Sequence, residues 1–230
     1  MRDVIIACDF SSKKETLQFL NHFQDCRPYV KIGMELFYAE GPDIVRELKQ
    51  RGHRIFLDLK LHDIPNTVRK TMSVLSQLDI DMTNLHAAGT IDMMKAALEG
   101  LTKANGQRPL LLAVTQLTST SEERMQKELL INANINDTIT HYATNAKIAG
   151  LDGVVCSPLE AKLVKDRCGN DFITVTPGVR FADSDTADQV RITTPAKARE
   201  IGTDYIVVGR PITMAANPLD AYQRCCDEFI

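Results

Sequence analysis

Arg54-Ile55-Phe56-Leu57-Asp58-Leu59-Lys60-Leu61-His62-Asp63-Ile64-Pro65 begins as a strand and ends at the first turn of a helix. Its opening residues are apolar and β-prone, which predicts a strand over 54–59. Pro65 suits a first helical turn, and Val68, Met72 and Leu75 then recur at three- and four-residue steps. One strand running straight into one helix is a β/α unit, and the same arrangement recurs along the chain. Further strands are expected at 4–7, 29–32, 82–85, 110–114, 153–156, 172–175 and 205–208. Several are apolar throughout, as strands covered on both faces should be. Helix signals stand between them. Ser12-Lys13-Lys14-Glu15 has the spacing of a capping box, followed by Leu17, Leu20 and Phe23. Gly41-Pro42 precedes Ile44, Val45 and Leu48, Gly52 closes that helix, and Thr194-Pro195 forms another cap and first turn.

Eight such units in 230 residues predict a compact (β/α)8 TIM barrel. A doubly wound open sheet is the alternative. No Pro-, Gly- or Ser-rich linker and no charge block divides the chain, so a single domain over 1–230 is expected. Long segments at 115–140 and 181–191 follow the fifth and seventh strands and are candidates for covering a site.

Composition narrows the function. Apolar residues make up 44% and charged residues 25%, which argues against disorder. Lys plus Arg total 27 against 30 Asp plus Glu, a net charge of -3, so neither a nucleic-acid surface nor a polybasic membrane anchor is indicated. No apolar run approaches the roughly 18 residues of a membrane span. Met1-Arg2-Asp3 does not open a signal peptide, and a cytoplasmic protein is expected. Cys8, Cys26, Cys156, Cys168, Cys225 and Cys226 form no C-x-x-C pair and read as reduced thiols. Without secretion, the sequon Asn136-Asp137-Thr138 carries no meaning.

In a (β/α)8 barrel the chemistry gathers at the C-terminal ends of the strands. There this sequence places Asp9, Lys31, then Asp58, Lys60 and Asp63, then His86, Thr115 with Thr118, Ser157, Pro177-Gly178 with Arg180, and Gly209-Arg210. Strand alternation puts Asp58, Lys60 and His62 on one face and Leu57, Leu59 and Leu61 on the other. Charges in an apolar core are unfavourable unless paired. Taken alone, Asp58 and Lys60 fit a rim ion pair as well as they fit catalysis. Lys31 and Asp9, from neighbouring strand ends, extend the pair into an alternating array. Such an array holds lysines protonated and carboxylates ionised. It suits delivery of a proton to carbon beside a carboxylate that repels one on the substrate.

A phosphate seat is the second signal. The loops after strands seven and eight bind phosphate in many barrels of this kind. Here they carry Thr176-Pro177-Gly178-Val179-Arg180 and Gly209-Arg210-Pro211. The bland reading, a turn glycine and two surface arginines, is the weaker at that position. No Walker loop and no G-x-G-x-x-G occurs. His22, His53 and His141 read as ordinary packing or surface residues, His62 as dispensable, and His86 equally as core or pocket. No metal site is proposed.

The segment Asp58-x-Lys60-x-x-Asp63-Ile64-Pro65-x-Thr67 closely resembles the signature of the orotidine 5′-phosphate decarboxylase family, bacterial type. Ala7-Cys8-Asp9, Val30-Lys31-Ile32-Gly33, Asn84-Leu85-His86-Ala87, Leu117-Thr118-Ser119, Gln189 and the two phosphate-loop segments extend the resemblance over essentially the whole chain. D-x-K-x-x-D alone is shared with sugar-phosphate lyases of the same superfamily. The resemblance implies decarboxylation of orotidine 5′-phosphate to UMP in de novo pyrimidine synthesis, without metal or organic cofactor. It implies Lys60 as proton donor to carbon 6, Asp58 crowding the departing carboxylate, and Lys31 with Asp63 completing the array. Asp9 and Lys31 would hold ribose hydroxyls, Thr118 and Ser157 the ribose or base region, and Arg180, Gln189, Gly209 and Arg210 the phosphate. It further implies a homodimer in which Asp63 and Thr67 reach the neighbour's site, and closure of 181–191 over the phosphate. The alternatives are a Mg²⁺-dependent sugar-phosphate decarboxylase or lyase, and a non-catalytic barrel that binds a phosphorylated ligand.

Overall fold

The computed structural model describes residues 2–23, 26–182 and 193–230. The chain runs β1 (Asp3–Ala7), α1 (Lys13–Leu20), β2 (Tyr29–Ile32), α2 (Met34–Glu40), α3 (Pro42–Gln50), β3 (Ile55–Leu61), α4 (Pro65–Leu75) and β4 (Met82–His86). It continues through α5 (Thr90–Leu101), β5 (Leu110–Val114), α6 (Glu122–Glu128), α7 (Ile135–Ile148), β6 (Gly153–Val155) and α8 (Ala161–Cys168). β7 (Ile173–Thr176), α9 (Pro195–Ile201), β8 (Tyr205–Val208), α10 (Arg210–Thr213) and α11 (Pro218–Phe229) complete it. Each strand pairs in parallel with the next, and β8 pairs back onto β1 through Asp3↔Tyr205 to Ile6↔Val208. The sheet is therefore a closed eight-stranded barrel, not an open doubly wound sheet.

Alternation sorts the strand residues into two apolar layers. Ile6, Val30, Ile32, Ile55, Leu57 and Leu111 face outward and pack against the helices. Ile5, Ala7, Tyr29, Phe56, Met82, Leu112, Val175, Tyr205 and Val207 form a separate cluster that fills the barrel. Burying one large apolar side chain such as Phe56 stabilises the fold by about 1.5–3 kcal/mol. One alternation step above this plug, the inward positions become polar: Asp9 above Ala7, Lys31 above Tyr29, Asp58 above Phe56, Asn84 above Met82. Period-two geometry thus lifts the charges to the barrel mouth.

Helix starts follow the local signals, with one correction. Thr194 caps α9 by accepting from Lys197 N–H, and Pro65 opens α4 with Val68, Met72 and Leu75 buried. At α1, Ser12 accepts from Glu15 N–H, but the Glu15 carboxylate reaches Ser11 N–H at 3.3 Å rather than Ser12. Only half of the expected capping box forms there. α4 and α5 cross closely because Gly100 has no Cβ; one built there would collide with the Arg69 carbonyl.

Candidate active site

A cavity of about 530 Å³ opens at the C-terminal end of the barrel. Its floor is the top of the barrel plug, Ala7, Phe56 and Val207, with Val155 packed against them, and Val114 also lines it. Asp9, Lys31, Asp58 and Lys60 stand on one side, and Pro177, Gly178, Arg180, Gly209 and Arg210 on another.

The charged side is a chain of contacts. Lys31 Nζ donates to Asp9 Oδ1 at 2.8 Å and lies 3.4 Å from Asp58 Oδ2. Lys60 Nζ donates to Asp58 Oδ1 at 2.7 Å. Burial disfavours the charge on Lys31, but the Asp58 and Asp9 carboxylates more than offset it and hold the ammonium above the ordinary lysine range. Burial likewise pushes the Asp58 carboxyl up. The positive charges of Lys31 and Lys60, with hydrogen bonds from Lys60 and Asn84, bring it below the usual aspartate value. Lys31 and Asp58 are therefore both charged at neutral pH.

Lys60 does not reach Asp58 by the expected alternation. It has φ 51°, in the left-handed region, and the β3–β4 register slips between Leu57 and Leu61. Face alternation ends at Asp58. Beyond it His62 is exposed, its ring 5.8 Å from that of His86. Burial and the neighbouring His62 and Lys60 lower the His86 pKa.

Asp63 and Thr67 are exposed on this chain and do not line the cavity. The Asp63 carboxylate accepts from Ile64 N–H at 2.6 Å. Within one chain the array is therefore Asp9, Lys31, Asp58 and Lys60. Thr118 lines the cavity. Ser157 is fully buried and its hydroxyl accepts from Leu159 N–H, while its own N–H donates to Glu160. An intact capping box thus forms at Ser157, and Cys156 faces the cavity beside it. Arg180 is buried, with Nη1 donating to the Val179 carbonyl, and its backbone N–H bonds the Thr193 carbonyl. That contact brings together the two ends of the segment holding Gln189, which lies outside the described residues, as does most of 181–191. Arg210 is exposed and begins α10 after Gly209.

Three participants carry roles that the sequence does not assign them. Asn84, fully buried, donates to Asp58 Oδ1 at 2.7 Å and accepts from Lys60 N–H at 2.8 Å. Its signal was an amide in a strand, a residue type poorly suited to that place. Gly33 follows β2, where a Cβ would lie 3.0 Å from Asp9 Oδ1 and 3.1 Å from Lys31 Nζ, so a bare backbone leaves room for that ion pair. Gln116, half of whose signal was its position just after Thr115, lines the cavity. Among the described residues, no three His, Cys, Asp or Glu side chains converge as a metal-holding group, and no helix is long and apolar enough to cross a membrane.

Known proteins resemble this chain over nearly its whole length. A curated relative from Bacillus cytotoxicus, named orotidine 5′-phosphate decarboxylase, is 57% identical over 225 residues, covering 96% of this chain and 94% of its own length. One of the same name from Bacillus mycoides is 56% identical with the same coverage. A crystal structure of orotidine 5′-phosphate decarboxylase from Lactobacillus acidophilus matches with a TM-score of 0.89 at 42% identity, covering 100% of this chain and 99% of that one. Residues 2–225 match the family described as Orotidine 5′-phosphate decarboxylase / HUMPS, and this chain belongs to that family.

Proposed function

We propose that this chain decarboxylates orotidine 5′-phosphate to UMP in pyrimidine biosynthesis, and that it does so in the cytoplasm as a homodimer. The observation that carries the reading is the ion-paired Lys31–Asp58–Lys60 chain on the wall of the barrel-mouth cavity. Arg180, Arg210, Gly209 and Gln189 take the phosphate, Asp9 and Lys31 the ribose hydroxyls. Thr118 addresses the ribose or base region, and so does Ser157, whose hydroxyl can donate while it accepts from Leu159 N–H. The carboxylate on carbon 6 lies against Asp58. The bond from carbon 6 to the carboxylate breaks, carbon dioxide leaves, and the electron pair stays on carbon 6. The Lys60 ammonium delivers a proton there and is reprotonated from water. Binding energy from the remote phosphate offsets the crowding of two carboxylates. Asp63 and Thr67, exposed on their own chain, serve the site of a second copy.

A spectrophotometric decarboxylation assay with and without EDTA tests the reading. Turnover of orotidine 5′-phosphate that EDTA leaves unchanged is expected, and Lys60→Ala is expected to abolish it while UMP still binds. Full activity in that variant overturns the role of Lys60. Turnover of a sugar phosphate alone, lost in EDTA, overturns the substrate.

A further inference from the structure

The β3–β4 ladder pairs Leu57 with Thr83 and Leu61 with Leu85. Between those rungs β3 carries Asp58, Leu59 and Lys60, whereas β4 carries only Asn84. The surplus must bulge out of the ladder, and Lys60 takes the left-handed conformation, φ 51°, that a lysine rarely adopts. A bulge of this kind leaves backbone groups without their strand partner, and a buried N–H without a partner is costly. The Asn84 side chain fills that role. Its Oδ1 accepts from Lys60 N–H at 2.8 Å, and its Nδ2 donates to Asp58 Oδ1 at 2.7 Å. That same Asp58 oxygen takes Lys60 Nζ at 2.7 Å.

The two contacts fix the amide in one orientation. Turned over, it would set N–H against N–H and oxygen against a carboxylate. Other residue types cannot do both jobs: Ser is too short to span the gap, and Asp brings a second carboxylate to Asp58. We infer that Asn84 is a positioning residue, which holds the Lys60 backbone and the Asp58 carboxylate in the relative placement that proton delivery needs. The inference rests on the proposed decarboxylation. It adds a residue on a neighbouring strand that does not itself line the cavity but holds two residues that do.

The decisive variant is Asn84→Asp, which keeps size and the acceptor for Lys60 N–H but replaces the donor to Asp58 with a carboxylate. Two carboxylates at that distance share a proton at low pH. On acidification the new side chain regains a donor. At neutral pH kcat is expected to fall by about 10²-fold, with KM and UMP binding changed by less than about threefold. As pH is lowered, kcat of Asn84→Asp should climb toward the parent, a limb the parent profile lacks. A purely structural amide would not produce that limb. Asn84→Ala, checked for folding by thermal unfolding, should lose kcat at every pH. Wild-type kcat in folded Asn84→Asp or Asn84→Ala, or a pH-independent defect in Asn84→Asp, overturns the positioning role while leaving the decarboxylation reading intact. An inactive parent chain overturns that reading and this one with it.

Discussion

Replacing Lys31 by Met asks how much one ammonium holds the site together. Lys31 and Asp58 side chains are each only 11% exposed, with Nζ 3.4 Å from Oδ2. At an effective dielectric near 20, charges at that separation attract by about 5 kcal/mol. Breaking a buried pair by removing one partner typically costs about 3–5 kcal/mol, because the other charge stays buried. Lys60 and Asn84 still reach Asp58 in the variant, so the lower end, about 3 kcal/mol, is expected. The loss must also depend on pH. In the parent, Asp58 titrates below its ordinary value, so its stabilisation is present above the unfolded-state pKa and is lost as pH falls through the depressed native one. Without Lys31 the largest influence opposing burial is gone, and the native pKa rises above the parent's. The destabilisation is then complete above the raised pKa and fades as Asp58 takes up a proton. Urea unfolding followed by circular dichroism at fixed protein concentration, at pH 7 and again near pH 4, should show the difference between parent and Lys31→Met shrinking on acidification. Adding Asp58→Asn should recover more than half of the loss, because no buried carboxylate then remains unpaired. A loss under about 1 kcal/mol, an equal loss at both pH values, or simple additivity in the double variant would refute the electrostatic account.

Two further perturbations separate packing from binding. Gly100→Ala sets a methyl against the Arg69 carbonyl where α4 and α5 cross, so thermal unfolding should show a loss of about 1–3 kcal/mol; an unchanged midpoint would mean that the helices part freely. Arg210→Ala, at the phosphate side of the cavity, should raise KM for orotidine 5′-phosphate at least tenfold, about the 1.4 kcal/mol of a lost charge-assisted contact. Turnover of the phosphate-free nucleoside should barely change, and equal losses on the two substrates would remove Arg210 from the phosphate seat.

The barrel was legible because its strands are buried on both faces and so stand out as apolar runs. β2, β5 and β8 begin and end where expected, and β7 is displaced by one residue. The bulge in β3 was not legible. Period-two reasoning assumes that every residue of a strand is extended, and nothing in Leu59-Lys60-Leu61 announces a left-handed lysine. Alternation nevertheless placed Asp58 correctly, since it lies before the slip. The roles of Asn84 and Gly33, residues that the resemblance includes, were not legible for a different reason. Their work is to satisfy or make room for a neighbour's side chain, which is a property of the strand pairing rather than of either sequence segment. Ser157 shows the reverse: its position after β6 was correctly read, but its hydroxyl is engaged in a cap that the Ser157-x-x-Glu160 spacing encodes.

The array explains why a chain with almost balanced charge needs its charges so closely interleaved. Each Asp58 oxygen is engaged: Oδ1 by Lys60 and Asn84, and Oδ2 by Lys31. A carboxylate held by three donors at a depressed pKa cannot relieve the approach of a second carboxylate by taking up a proton. It cannot turn away without breaking those contacts. Under the proposed function, the substrate's carboxylate therefore meets a fixed negative charge, and the repulsion is relieved when carbon dioxide leaves. The attraction that brings the substrate in has to come from elsewhere, because the four groups Asp9, Lys31, Asp58 and Lys60 sum to zero. Arg180 and Arg210 sit on a different wall of the same cavity, where a phosphate can be bound without neutralising Asp58. Placing attraction and repulsion at separate ends of one cavity lets binding energy act on the reacting end. A single cluster of either sign could not do both.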